Sequence, residues 1–410
     1  MIYLDYNATT PLCDAAWRAM QPYFEQHFGN PSSVHRAGRE TRAAVDDARD
    51  RIAALLGAKP YEIIFTSGGT ESNNLALLGL ARRFASDGKH LISNRAEHHA
   101  VLHALEHLEK REGFEITWLD VSAEGLVDPD QLEHAIRPDT TLVSIMTTNN
   151  ETGVIQPMAE ISARCRKHGV LLHSDMVQSF GKLETDGAAN LDSRKRVPPE
   201  GRASASSVSE LCDAASFGAH KFYGPKGAGF LYLRSGLPID RIQFGGAHEG
   251  ERRPGTENVP AIVGMAAAAE EVGRGLPDEQ ARQAQLHDKL WRGVESIFPA
   301  AQQNGAGAPR VANTLNVTFP GFTSETLLMA LDLEGVCASS GSACMVGSVV
   351  ASHVLLAMGM PPERASSAVR FSLGKETTAL EIEQTIAAIG RIVQRSSARV
   401  DDNPKRHAFV

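Results

Sequence analysis

The sequence predicts an α/β protein with a large domain on a mostly parallel central sheet and a smaller α+β domain. Three observations carry that prediction. Short apolar runs alternate with helix-length amphipathic stretches between Ile63 and His173, the pattern of parallel strands joined by crossover helices. At 410 residues and 42% hydrophobic, the chain exceeds one comfortable core and has apolar material for two. After about Asn258 the alternation gives way to long helices, the first rich in alanine, with few further strands.

In chain order, Ser33 is placed to cap a helix whose apolar positions Val34, Ala37, Val45, Ala48, Ile52 and Leu55 recur at helical spacing until Gly57 stops it. A strand over 63–66, the turn Ser67-Gly68-Gly69-Thr70 and a helix through Leu75, Leu78 and Ala81 follow. Strand, glycine turn, helix is the order of a phosphate cradle, because helix-start N–H groups lack partners and glycines let an anion approach. Glycine needed only for turn geometry would read the same way. Strands over 90–93, 116–120, 141–146 and 170–173 then alternate with helices over 100–110, 130–136 and 158–168. Ligands of such sheets gather at strand carboxyl ends, which here carry Thr70, His98, Asn150, Asp175 and Lys221.

Residues 187–211, with two adjacent prolines, many serines and the cluster Arg194-Lys195-Arg196, read as a surface insertion. A strand over 230–233, helices over 280–297 and 325–334, a strand over 314–319 and a glycine–serine stretch over 338–347 complete the pattern. The expected division is a large domain over 16–257, a small domain formed by 1–15 and 258–398, and a frayed tail over 399–410.

A net charge of -8 argues against a nucleic-acid footprint, and no apolar run is long enough to span a bilayer. A cytoplasmic location is expected. Five cysteines, an odd number without finger-like spacing, fit a reducing compartment and leave thiols for chemistry. His99, His103 and His107 repeat at helical spacing, but nothing completes a metal shell, and an exposed stripe explains them.

Lys221 lies between two apolar runs and just ahead of Gly224-Pro225-Lys226-Gly227, where partial desolvation would expose a nucleophilic amine, although a solvated loop lysine beside a tight turn would read the same way. Asp175 ends a buried strand; it suits a protonated pyridine nitrogen or, equally, a helix cap. Amine, carboxylate and the Gly68-Gly69-Thr70 cradle are together the fixtures that pyridoxal 5'-phosphate requires. His98 is placed to stack on a planar ring and relay protons. Arg370 offers a fork for a substrate carboxylate, or makes a structural ion pair. Cys344, in a run of small residues without periodicity, could present a thiolate to a substrate.

With these motifs in view the sequence resembles the cysteine desulfurases of nitrogenase maturation and iron–sulfur assembly, in the aminotransferase class V group of pyridoxal-phosphate enzymes. The likeness runs from Tyr3-Leu4-Asp5-Tyr6-Asn7-Ala8-Thr9-Thr10-Pro11 to about Arg391. It rests on the stretch from Thr66 to Asn74, Glu97-His98, the stretch from Asn149 to Gly153, His173-Ser174-Asp175 with Gln178, His220-Lys221, the stretch from Arg253 to Asn258, Ser339 to Cys344, and Arg370-Phe371-Ser372. The resemblance implies the type I fold of pyridoxal-phosphate-dependent transferases and conversion of L-cysteine to L-alanine with a persulfide on Cys344. It implies Lys221 as the cofactor-anchoring amine, Asp175 at the ring nitrogen, Gln178 at the ring oxygen and His98 over the ring. Gly69, Thr70 and His220 would hold the phosphate, with Thr256 reaching it from the other subunit of a homodimer. Asn150 and Arg370 would position the substrate carboxylate, and an iron–sulfur scaffold protein would accept the sulfur.

Three departures stand out: Gly218 where the family usually has serine, Met345 and Val346 where threonine and serine are common, and the insertion. Gly218 removes one phosphate hydroxyl, which predicts weaker cofactor retention unless Ser216 or water substitutes. A class V aminotransferase, a selenocysteine lyase, or a catalytically weak scaffold or regulatory relative are the alternatives these departures leave.

Overall fold

The computed structural model describes residues 1–184, 207–341 and 351–401. Its centre is a seven-stranded sheet formed by β2 (Ile63–Thr66), β3 (His90–Asn94), β4 (Glu115–Leu119), β5 (Thr140–Ser144), β6 (Leu171–Asp175), β7 (Ala214–Gly218) and β8 (Gly229–Leu233). Their order is β2-β8-β7-β6-β5-β3-β4. All run parallel except β8, which pairs antiparallel with both β7 and β2. The carboxyl ends of the six parallel strands therefore lie along one edge. Strands β2, β7 and β8 are buried at every position, as sheets covered on both faces require.

Helices cover both faces. On one, the Arg36–Leu56 and Val259–Gly273 helices close over Phe65, Phe217 and Phe230; on the other, Leu75, Leu77 and Leu80 pack with Leu105 and Leu231. Phe217 stacks on Phe230 at 4.4 Å, and Phe222, just after Lys221, meets Phe180 at 4.8 Å. This apolar floor holds the lysine turn in place.

A second core gathers Leu4, Leu290, Val294, Leu315, Val317, Val369, Phe371, Ile382 and Ile389. It is organised by β10 (Thr314–Thr318), flanked antiparallel by β9 (Gln302–Gln303) and β12 (Ala368–Ser372). The amino-terminal β1 (Ile2–Tyr3) joins β11 (Val336–Cys337) in parallel, so the chain starts on this second unit and then crosses to the large sheet.

Several details differ from the sequence reading. The first long helix starts at Arg36 behind a His35 cap, with Val34 exposed, because His35 Nδ1 accepts the Gly38 N–H at 3.3 Å where Ser33 was expected to cap. Residues 207–211 of the expected insertion are structural: Ser207 and Glu210 form a capping box for the Val208–Leu211 helix, and Val208 is buried. Residues 187–206 lie outside the described residues. The last helix, Ala379–Asp401, continues past the expected fraying point at 398, with a strong amphipathic pattern carrying it.

Candidate active site

Each functional side chain enters from the end of an element. After β2 the backbone turns at Gly68 (φ 153°, ψ -178°), a conformation that side chains exclude, and Gly69 opens the Gly69–Arg83 helix. A Cβ on Gly69 would come within 2.6 Å of Val177 Cγ2. Close backbone approach is thus built into this helix start, whose unpartnered N–H groups and dipole favour an anion. Glu71 in its first turn receives Arg253 Nε at 2.8 Å, tying the cradle to the Arg253–Asn258 motif.

His98 caps the His99–Glu112 helix, with Nδ1 accepting the Ala100 N–H at 3.1 Å. A neutral imidazole in that bond carries its proton on Nε2. Burial keeps the ring neutral by pulling its pKa down, against the opposing pull of Asp175. Behind it, Glu97 is fully enclosed; Oε1 accepts Asn94 Nδ2 at 2.9 Å and the Met146 N–H at 2.7 Å, while Oε2 has no partner among the described residues. Burial drives its pKa up to about 8.

Asp175 ends β6 and is 5% exposed. Oδ1 accepts the Val177 N–H at 3.0 Å and Oδ2 accepts Asn73 Nδ2 at 2.7 Å. It therefore acts as a turn acceptor and still lines the cavity below. Lys221 ends the short Ala219–Lys221 turn after β7; its Nζ donates to Asn7 O and Ala8 O, both at 2.8 Å. Two residues on, Tyr223 sits at φ +64°. Its N–H donates to Thr10 Oγ1, its carbonyl accepts from Cys13, and its hydroxyl accepts the Lys375 N–H. Fixed on three sides, it holds a backbone conformation that a tyrosine would otherwise avoid.

His220 contacts Thr9 Oγ1 at 3.2 Å, and burial beside Lys221 lowers its pKa to about 4. Asn150 follows an Asn149 turn in which Asn149 Oδ1 accepts the N–H groups of Glu151 and Thr152 at 2.9 Å. Asn150 Oδ1 is buried without a partner among the described residues. Arg370, 3% exposed in β12, donates Nη2 to Asp5 Oδ1 at 2.7 Å and Nη1 to Asn150 O at 2.9 Å. It makes the structural ion pair and also lines the cavity described below.

The cavity measures ≈ 380 Å³ and is lined by Gly69, Thr70, His98, Asn150, Asp175, Gln178, His220, Lys221 and Arg370. Thr256 is exposed and does not line it, and Cys344 lies outside the described residues. Sequence reasoning missed Asn7, Asn73 and Gly341 on the lining. Asn73 was reachable, one helical turn beyond Gly69; the others depend on contacts across hundreds of residues. Ser216, fully buried with its Oγ on His173 Nε2 at 3.0 Å, is not on the cavity lining and so does not replace the hydroxyl missing at 218. A Cβ at 218 would sit 3.2 Å from Gly69 N, so the backbone closes in where serine is usual.

An anion cradle, a buried carboxylate, an amine on a rigid turn and unpartnered amide oxygens fit pyridoxal phosphate, and the volume suits a small-molecule site of about 300–1,000 Å³. Fold and site are those of a pyridoxal-phosphate enzyme of type I. The Aminotransferase class-V family matches residues 2–191 and 206–385, broken only inside the expected insertion, and the chain belongs to that family. Within it the chain is a cysteine desulfurase. It is 44% identical to "Cysteine desulfurase IscS" of Dictyoglomus turgidum over 96% of this chain and 95% of the relative, and 40% identical to that of Methanosarcina thermophila over 99% and 95%. Among solved structures a "NIFS-LIKE PROTEIN" superposes with a TM-score of 0.85 at 34% identity, covering 96% of this chain and 99% of its own. "SspA in complex with cysteine" gives 0.77 at 33%, covering 91% and 99%.

Proposed function

We propose that this cysteine desulfurase takes sulfur from L-cysteine onto Cys344 and passes it to an iron–sulfur scaffold protein, with Lys221, His98 and Cys344 as its catalytic residues. The convergence of Lys221, Asp175, His98 and the Gly69–Thr70 helix start on one cavity is the observation that carries this reading. Gly69, Thr70 and His220 would hold the cofactor's phosphate, Asp175 its ring nitrogen and Gln178 its ring oxygen. Lys221 Nζ, presented between two backbone carbonyls, would anchor its aldehyde carbon. When bound, pyridoxal phosphate supplies an electron sink for charge developing on the substrate's α-carbon.

The chain's own residues supply the rest. Arg370 and Asn150 orient the substrate carboxylate, and Arg370's tie to Asp5 fixes its plane. Lys221 and His98, the latter neutral because burial depresses its pKa, move protons at the α-carbon and at the carbon that sulfur leaves. The Cys344 thiolate forms an S–S bond to the substrate sulfur as the C–S bond breaks. That bond's electron pair stays with carbon, which is protonated to give alanine. Thr256, exposed in one chain, suits a homodimer in which it completes the partner's phosphate site. A large domain over 16–257, a small one formed by 1–15 and 258–398, and a cytoplasmic location complete the proposal.

The test is the Cys344→Ala variant. The loaded protein should keep its visible cofactor absorption and bind L-cysteine, yet lose alanine formation and the one-sulfur adduct, about +32 Da, that mass analysis of the wild type is expected to show on Cys344. Undiminished alanine and sulfide release from the variant would remove the thiol from the reaction.

A further inference from the structure

A second lysine stands beside the first, and no role has yet been given to it. Lys182 follows Gln178 by four residues; the residue as a whole is half-buried, and its amine is strongly desolvated. Its Nζ donates to Asn7 Oδ1 at 2.8 Å and also to Gln178 Oε1. Both acceptors are neutral amides. A buried ammonium satisfied by neutral oxygens is costly, and burial together with Lys221 and Arg370 depresses its pKa well below the usual lysine range. Such a group is retained for what it orients.

What it orients follows from donor and acceptor identity. Lys182 Nζ carries N–H donors in either protonation state, and the amide atom of Gln178 that faces it is Oε1, because the other end of the amide is fixed independently. At the other end, Gln178 Nε2 donates to the carbonyl of Asn7 at 2.9 Å, which can only accept. The amide is pinned at both ends and cannot flip. One N–H of Nε2 is used by Asn7 O, and the second remains for the cavity that Gln178 lines. Asn7 is fixed by the same logic: its Nδ2 donates to Thr314 Oγ1 at 2.8 Å and to Asn150 O at 3.2 Å, which leaves Oδ1 for Lys182 and for Asn313 Nδ2 at 3.0 Å. Asn7 O is also an acceptor of Lys221 Nζ. The two lysines thus meet on one residue of the amino-terminal segment.

We propose that Lys182 is a positioning residue for the cofactor: by gripping Gln178 Oε1 and Asn7 Oδ1 it holds the Gln178 N–H toward the cofactor's ring oxygen and Asn7 against Lys221. The bond reinforces the placement, because an N–H polarised through an amide whose oxygen already accepts a hydrogen bond is a stronger donor. The inference rests on the pyridoxal-phosphate reading above.

The experiment measures cofactor binding and its spectrum in the full chain, without turnover. Lys182→Met should weaken pyridoxal phosphate binding about 10–100-fold, the loss of a hydrogen bond to a charged group, and should displace the visible absorption maximum in the same direction as Gln178→Ala. The double variant should bind no more weakly than about the weaker single one, because Lys182 acts through Gln178. Lys182→Arg, which still only donates, should restore most of the affinity and the band position. Should the Met variant fail to fold, Lys182→Gln serves, since its amide can present either end and no longer dictates which atom of Gln178 faces it. Additive losses in the double variant, or a Met variant with wild-type affinity and spectrum, would overturn the positioning role while leaving the cofactor reading intact. A wild-type chain that binds no pyridoxal phosphate would instead overturn the reading beneath it.

Discussion

The cavity has two walls of different origin. One is built by the large sheet: Gly69–Thr70, His98, Asp175, Gln178, His220 and Lys221 all lie just past strand carboxyl ends. The other comes from the amino-terminal segment and the second unit, with Asn7, Ala8, Gly341 and Arg370. The first wall carries the groups suited to a planar anionic cofactor, and a continuous apolar floor fixes it. The second carries the fork suited to a free carboxylate, and it is stitched by polar bonds: Ser372 Oγ accepts the Asn7 N–H at 2.9 Å, and Ser372 N donates to Leu4 O at 2.7 Å. Holding a cofactor permanently calls for rigidity. Admitting substrate and releasing product calls for a wall that can give.

That contrast predicts separable defects. Asp175→Asn on the sheet wall should produce the larger one, because under the proposed role of Asp175 it would leave a protonated ring nitrogen without its carboxylate. Breaking a buried charge pair costs about 3–5 kcal/mol, so equilibrium dialysis should show cofactor affinity lower by about two to four orders of magnitude. Arg370→Lys on the opposite wall keeps a cation beside Asp5 but loses the planar fork. Steady-state assays should show KM for L-cysteine raised about 10–100-fold with the cofactor's absorption unchanged. An Arg370→Lys protein that loses its cofactor would erase the distinction between the walls.

The two walls also differ in how legible they are. Most of the sheet wall sits at boundaries that local sequence marks, a strand followed by glycines for the Gly69 turn, a buried strand ending in an acid for Asp175, apolar runs around Lys221, while Gln178 and His220 came only from the resemblance. The second wall pairs Asn7 with Thr314 and Arg370 with Asp5, separated by 307 and 365 residues. No periodicity announces such contacts: the residues alone left Arg370 between a substrate fork and a structural ion pair, and only the family resemblance favoured the first. Helix starts were misplaced where an unusual cap won, as at His35. Lys182 escaped notice for a different reason: its four-residue spacing from Gln178 is ordinary, and its meaning lies in which amide atoms it faces.

Each wall is also backed by one buried acid, and these give the smallest predicted effect. Glu97, behind His98, is raised by burial to about 8; Glu151, which accepts the Ser352 hydroxyl behind Arg370, is raised by burial to about 7. For an acid whose folded pKa lies above its unfolded value near 4.5, the folded state holds more protons between the two, so stability falls as pH rises through that window. The buried histidines His98, His173 and His220 act below their unfolded value of 6.5, where stability falls as pH drops. Lys182, depressed by burial, works against the acids at higher pH. The difference between wild type and Glu97→Gln isolates one group from these others. Between pH 6.5 and 8 the wild type should lose stability relative to the variant by up to about 1.4 kcal/mol per pH unit. Thermal unfolding at several pH values reads this as a few degrees of Tm, and parallel pH profiles would mean that Glu97 is already ionised beside His98.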